Sequence, residues 1–152
     1  MTTVEESVDV KVPIETAYNQ WTQFEEFPRF MEGVESVSQL DDTHLRWKAD
    51  IAGVEREWTA EITEQHPDER VAWRATDGAA NAGAVTFHRI SPGTTRVMLQ
   101  LEFDPEGIVE QAGDKLGFVK RRAVGDLERF KAFIEERGSE TGEWREDVPR
   151  SN

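Results

Sequence analysis

Hydrophobic and polar residues alternate along most of the chain, and the period of this alternation changes three times. Residues 8–12 carry valine at every second position, which predicts a half-buried strand. After Pro13, apolar residues over 14–24 recur every three or four positions, the spacing of an amphipathic helix. Residues 27–31 are a second, short segment with the pattern of a helix or a turn. The beginning of the chain therefore predicts one strand followed by two short helices.

The middle of the chain has a period of two, which is typical of strands with one buried face. For the strand over 83–90, two choices of the inward face stay open, because either Val85 and Phe87 or Thr86 and His88 can face the core. Residues 91–93 (Ser-Pro-Gly) have strong turn chemistry and predict a hairpin between the last two strands. The predicted strands cover 34–40, 44–51, 54–63, 71–75, 83–90 and 94–103.

One long helix is predicted after the last strand. Residues 104–106 (Asp-Pro-Glu) combine a capping side chain, a proline at the first helical position and an acid in the first turn. Apolar residues then recur every three or four positions from Ile108 to Ile134, and Gly138 is typical of a C-cap. Residues 139–152 are polar and aperiodic. We therefore expect one domain over 1–138 and a flexible tail over 139–152.

The order of these elements predicts the fold class. A run of strands beside separate helices is typical of α+β proteins with an antiparallel sheet. Each strand has one apolar face, so the sheet needs one cover, and the long helix is the only element large enough. A twisted sheet cannot touch a straight helix along its whole length. We therefore expect a curved antiparallel sheet of about seven strands wrapped on a long C-terminal helix, with a space between them.

Composition narrows the classes of function. The net charge is −13 over 152 residues, which argues against nucleic acid and anionic membranes as partners. No segment has the length of an apolar membrane span and no secretory signal is visible, so we expect a cytoplasmic protein, monomeric or homodimeric. Cysteine is absent and the three histidines lack metal-ligand spacing, so we expect no metal and no cofactor. The acidity fits either solubility or adaptation to high salt.

Two N-terminal segments and parts of the long helix resemble a known superfamily. Residues 10–21 (Val-Lys-Val-Pro-Ile-Glu-Thr-Ala-Tyr-Asn-Gln-Trp) and 24–37 are similar to the opening of START-like (helix-grip, Bet v 1-like) proteins, and residues 105–107, 117–118 and 126–130 also fit. The similarity is greatest to the polyketide cyclase/dehydrase and coenzyme Q-binding branch. It implies the helix-grip fold over about residues 4–137. It also implies a cavity for a lipid, an isoprenoid quinone or an aromatic polyketide-like molecule.

Large apolar side chains on inward positions are the candidate ligand contacts. Trp47, Trp58 and Trp73 share the inferred inward phase of three successive strands. They could form the aromatic wall of a cavity or fill the core, and both interpretations stay open. The candidate ligand-binding residues are Trp47, Trp58, Trp73, Trp21, Phe30, Phe87, Leu99, Leu116 and Phe118.

Three polar residues are candidates for catalysis. Arg56 shares the inward phase of Trp58 and could hold an enolate, carboxylate or carbonyl oxygen, or it could extend to the rim. Tyr18, the only tyrosine, could donate a hydrogen bond into the cavity or pack in the core. His88 could act as a general base or be an ordinary surface histidine.

Three functions follow from these residues. The leading hypothesis is binding of one small hydrophobic molecule between the sheet and the long helix. The alternative is a polyketide cyclase or dehydratase, which requires at least two of Arg56, Tyr18 and His88 to converge on one point of the cavity. The third is a protein-interaction or chaperone-like module that uses the acidic outer face of the sheet.

Overall fold

The computed structural model describes residues 2–51, 54–77, 81–103 and 115–142. Seven strands and two α-helices lie in this part of the chain, together with a 3₁₀ helix at Phe24–Arg29. In chain order they are β1 (Thr2–Val10), α1 (Ile14–Trp21), the 3₁₀ helix, β2 (Val34–Gln39), β3 (His44–Ile51), β4 (Val54–His66), β5 (Arg70–Ala75), β6 (Asn81–Ser91), β7 (Thr94–Phe103) and α2 (Lys115–Arg137).

All seven strands form one antiparallel sheet in the order β1-β7-β6-β5-β4-β3-β2. Consecutive strands from β2 to β7 are neighbours, and β1 pairs with β7 at the far edge. The sheet curls around α2, so the α+β helix-grip fold expected from the sequence is confirmed. The predicted start of the long helix at 104–106 lies outside the described residues.

The first helix is shorter than its apolar pattern predicts. α1 ends at Trp21, and the hydroxyl of Thr22 donates to the carbonyl oxygen of Asn19 at 2.6 Å. The chain then tightens into the 3₁₀ helix, which includes Pro28. Because a 3₁₀ helix has three residues per turn, Phe24 and Phe27 still face the core, and both are buried.

The core lies between the inner face of the sheet and one side of each helix. Its largest fully buried side chains include Trp21, Tyr18, Phe30 and Phe130. In β4 a bulge between Ile62 and Glu64 changes which residues face inward. Ile62 and Gln65 are both buried as a result, although a strict period of two would place them on opposite faces.

Hydrogen bonds from other elements cover the two edge strands. Lys131 of α2 donates to the carbonyl oxygen of Asp9 in β1 at 2.9 Å. At the opposite edge, Glu25 accepts from the backbone N–H of Gln39 in β2 at 3.1 Å. Side chains that occupy edge groups in this way reduce the chance of pairing with another chain.

The beginning of the predicted tail contacts α1. Asn19 donates to the carboxylate of Glu140 at 2.8 Å, and Gln20 exchanges two hydrogen bonds with Thr141, at 3.0 and 2.8 Å. Residues 140–141 are therefore anchored, while the rest of the predicted tail, from residue 143, lies outside the described residues. Within the described residues, no helix is long and apolar enough to cross a membrane.

Candidate functional site

The inner face of the sheet has a tightly packed end and a half-buried end. At the packed end, α1, the 3₁₀ helix and the second half of α2 cover the strands. At the other end, near the β3–β4 and β5–β6 connections, several inward side chains are only half-buried. We call this group the inner patch, and it consists of Val34, Arg56, Trp58, Trp73, Leu101 and Val119.

Two stacked indoles form one side of the inner patch. Trp47 of β3 and Trp58 of β4 are directly opposite in the strand register. The centroids of their rings are 5.7 Å apart, and the two ring planes are inclined to each other by only 7°. Trp47 is 8% exposed and contacts Phe27, whereas Trp58 is half-buried and belongs to the patch. The pair therefore joins the packed core to the half-buried end, with one flat indole face at the boundary.

A third indole lies across a glycine on the neighbouring strand. Trp73 of β5 is opposite Gly83 of β6 in the register. A Cβ atom on Gly83 would lie 2.5 Å from Cζ2 of Trp73 and 3.1 Å from Cδ2 of Leu101. Gly83 therefore provides the space in which the Trp73 ring lies, and this role was not recognised from the sequence. The signal is a glycine inside a strand pattern, which indicates close approach by another group.

Arg56 is the cationic member of the inner patch. It lies two residues before Trp58 on the same face of β4, opposite Ala49 of β3. Its side chain is half-buried, and it makes no hydrogen bond or ion pair with the described residues. A half-buried guanidinium has five N–H donors to satisfy. This one can therefore donate to an oxygen acceptor brought by another molecule.

A carboxylate also occupies an inward position, and the sequence analysis did not single it out. Glu6 of β1 is opposite Leu99, on the face that carries Val8 and Val10. Its carboxylate lies 4.0 Å from the ammonium of Lys120 in α2. The signal was available, because Glu6 interrupts an otherwise apolar inward series that includes Val4. Glu6 and Arg56 lie on β1 and β4, and three strands separate them in the sheet.

Most of the other predicted ligand contacts lie in the packed core. Trp21, Phe30, Phe87 and Leu99 are all buried, as is Tyr18, whose ring packs edge-on against Phe87 with centroids 5.4 Å apart. Of the predicted wall residues, only Trp58 and Trp73 are half-buried at the inner patch. The side chains of Leu116 and Phe118 lie outside the described part of the chain.

The three predicted catalytic residues are in three different places. His88 lies on the outer face, exposed, with its ring 3.0 Å from the hydroxyl of Thr86. Of the two choices left open for β6, the structure therefore has Val85 and Phe87 facing inward, while Thr86 and His88 face outward. Tyr18 is in the core at the packed end, and Arg56 is at the other end. No two of these three residues therefore lie together at one point of the inner face.

Three residues of α2 bind the segment that leads into β2. Arg122 donates to the carbonyl oxygen of Glu32 at 2.6 Å, and Arg129 donates to that of Phe30 at 3.0 Å. Asp126 accepts from the backbone N–H of Glu32 at 3.1 Å and from Arg129. Burial raises the pKa of Asp126 above its ordinary value of 3.8, although both hydrogen bonds oppose that shift. These hydrogen bonds attach α2 to the segment that leads directly into Val34 of the inner patch.

A curled seven-stranded antiparallel sheet around one long C-terminal helix defines a START-like helix-grip protein. The family model for polyketide cyclase/dehydrase and lipid transport proteins matches residues 10–132. A relative from Streptomyces lincolnensis is 61% identical over 146 residues, which cover 95% of this chain and 97% of the relative. It is described as an uncharacterized 17.2 kDa protein from the melC2–rnhH intergenic region. The chain therefore belongs to the polyketide cyclase/dehydrase family.

Solved structures have the same fold. A protein from Deinococcus radiodurans superimposes with a TM-score of 0.69 at 30% identity, covering 90% of this chain and 99% of that one. The Zhui aromatase/cyclase from a Streptomyces species superimposes with a TM-score of 0.78 at 21% identity, covering 94% and 99%. A START superfamily protein from Mycobacterium smegmatis gives 0.69 at 17%, covering 89% and 95%. The latter two similarities concern the fold.

Proposed function

We propose that this protein binds a small, largely apolar molecule that carries an oxygen acceptor, at the inner patch between the sheet and α2. The observation that carries the proposal is Arg56. A half-buried guanidinium beside an indole pair, with no protein acceptor among the described residues, is suited to an oxygen of a bound molecule.

The indoles support the same chemistry. Trp58 and Trp73 offer half-buried aromatic surface that a flat or long apolar molecule can cover. A carbonyl or carboxylate oxygen on that molecule would accept from the guanidinium of Arg56. Aromatic ketones and quinones combine a flat apolar body with such an oxygen.

The family match and the Zhui aromatase/cyclase similarity are compatible with catalysis as well as binding. A cyclase or dehydratase reaction needs a proton donor or acceptor beside Arg56, however, and neither Tyr18 nor His88 lies there. Binding is therefore the function that the geometry supports best. We retain the expectation of a cytoplasmic protein, monomeric or homodimeric, that works without a cofactor.

Equilibrium dialysis with two matched probes tests the proposal. 2-Acetylnaphthalene and 2-ethylnaphthalene have nearly the same shape, and only the first carries a carbonyl oxygen. We expect both to bind and the ketone to bind about tenfold more tightly, since a hydrogen bond to a charged donor contributes about 1.5 kcal/mol or more. Arg56→Gln should remove the preference for the ketone, whereas Arg89→Gln, at the opposite end of the sheet where Arg89 pairs with Glu15 of α1, should leave it unchanged.

Two negative results of the dialysis experiment would have different consequences for the proposal. If neither probe binds, the proposal of a small-molecule site is wrong. If both probes bind equally and Arg56→Gln has no effect, the site stands and the role of Arg56 is wrong.

A further inference from the structure

The outer face of the sheet contains a depression on the side opposite the inner patch. Its floor consists of Ala72 of β5, which is opposite Ala84 of β6 in the strand register, and Ala82 of β6, which is opposite Arg74. Trp73 and Gly83, which lie between these positions along the two strands, also border the depression. Ala72 and Ala84 are only 6% exposed, although neither belongs to the hydrophobic core cluster. Small side chains on a solvent-facing sheet surface are buried in this way when longer neighbours surround them. The volume of the depression is about 230 Å³.

Charged groups of opposite sign stand on the two sides of this floor. Arg70 and Arg74 lie on the β5 side, and Glu102 of β7 lies on the other. Arg74 and Glu102 both neighbour Ala82, so their backbones are two strand spacings apart, or roughly 10 Å. The depression is therefore polarised, with guanidinium groups on one side and a carboxylate on the other.

Hydrogen-bonding capacity remains on both sides. Arg70 donates through Nε to Glu64 at 2.8 Å, and its two terminal nitrogens make no hydrogen bond with the described residues. Arg74 uses one terminal nitrogen, at 3.2 Å from Glu61. Glu102 is exposed and has no partner in the described ranges. Glu61 and Glu64 therefore hold the arginines beside the floor and leave donors available.

We propose that this depression binds a small zwitterion whose carboxylate and ammonium are separated by an apolar body. The carboxylate pairs with Arg70 and Arg74, the apolar body covers the alanines, and the ammonium pairs with Glu102. The net charge of the protein favours such a ligand over a simple anion, because a field of −13 charges repels an anion but exerts little net force on a zwitterion. This site is on the opposite side of the sheet from the proposed hydrophobic ligand and does not depend on it.

The probe for the test is 4-(aminomethyl)benzoate, whose planar ring separates the two charges. 4-Methylbenzoate lacks the ammonium and 4-methylbenzylamine lacks the carboxylate, so the three compounds form a matched set. Titration of ¹⁵N-labelled protein, followed by backbone amide shifts, gives the location and the Kd together. We expect shifts confined to β5, β6 and β7 at outward positions, and a Kd for the zwitterion at least fivefold below that of either analogue.

Substitutions on the outer face distinguish the two charged sides. Arg74→Gln should raise the Kd of the zwitterion toward that of 4-methylbenzylamine, with Arg70 retaining part of the carboxylate interaction. Glu102→Gln should bring the Kd to that of 4-methylbenzoate. Ala84→Leu fills the floor and should abolish binding, and Ala82→Leu provides the same test if that variant folds poorly. Arg121→Gln, on the exposed face of α2, is the control and should leave the Kd unchanged.

Three results would overturn the proposal. They are the absence of outer-face shifts up to the solubility limit of the probe, equal Kd values for the three compounds, and shifts that map to inward residues such as Trp58 instead.

Discussion

A single hydrogen atom at Gly83 leaves room for the ring of Trp73. Since a methyl group there would lie 2.5 Å from Cζ2 of the indole, Gly83→Ala must displace Trp73. We expect a loss of about 1–3 kcal/mol in the free energy of unfolding, as in other overpacked sites, and a change in tryptophan fluorescence. Urea denaturation measures the first and an emission spectrum the second.

Gly93 provides the matched control, because a Cβ atom there meets nothing within 4 Å. Gly93→Ala should leave stability and fluorescence unchanged. Equal behaviour of the two variants would contradict the close packing of Trp73 on Gly83.

Asp126 predicts a pH dependence with a definite sign. Its pKa is raised in the folded protein, chiefly by burial, so the folded state binds this proton more readily than the unfolded state does. Its contribution to stability is therefore fully present below pH 3.8 and is lost as the pH rises through the folded pKa. As the pH rises above 3.8 and through the folded pKa, the wild type should lose stability relative to Asp126→Asn.

Chemical denaturation at several pH values measures this difference. Glu128→Gln, at an exposed position of the same helix, controls for the removal of one negative charge. Parallel stability curves for the wild type and Asp126→Asn would contradict the assignment.

At the scale of elements, α2 is attached to the sheet along two lines. Lys131 joins it to β1, while Arg122, Asp126 and Arg129 join it to the segment before β2. Between these lines its apolar side packs into the aromatic cluster, where Phe130 lies 5.1 Å from Trp21 and 5.2 Å from Phe30, measured between ring centroids. The packed end is therefore stabilised by α2 together with α1 and the 3₁₀ helix.

Truncation of Phe130 tests that statement. The ring is fully buried, so Phe130→Ala should destabilise the fold by about 3–5 kcal/mol through lost burial and a residual cavity. Val124 lies on the same helix and is 41% exposed, so Val124→Ala should change stability by less than about 0.5 kcal/mol. Thermal unfolding followed by circular dichroism compares the two, and similar melting temperatures would show that α2 does not stabilise the packed end.

The elements were predictable from hydrophobic periodicity, and their irregularities were not. A period of two locates β3 to β7, but it cannot reveal the bulge that carries Gln65 into the core in place of Glu64. The phase of β6 was likewise open, because Val85 with Phe87 and Thr86 with His88 both alternate acceptably. Register and packing against α1 decide both points, and these are long-range properties.

At the scale of the molecule, the strongly acidic composition and the aromatic residues occupy different places. Glu55 and Glu57 are exposed on the outer face of β4. Trp58 lies on the inner face of the same strand, opposite Trp47 of β3. This separation, and the fold that produces it, were predictable from the sequence. Which aromatic residues fill the core was not predictable, because the inward phase of a strand is independent of where the covering helices end.

The central claim is that a ligand occupies the inner patch, and the indole N–H signals of the tryptophans test it most directly. In a ¹⁵N spectrum of the protein titrated with 2-acetylnaphthalene, each tryptophan reports one position. We expect the signals of Trp47, Trp58 and Trp73 to shift, because these rings form or adjoin the inner patch. The signal of Trp21 should stay in place, since that ring lies in the packed core. Unchanged signals from Trp58 and Trp73 at saturating probe would contradict the account.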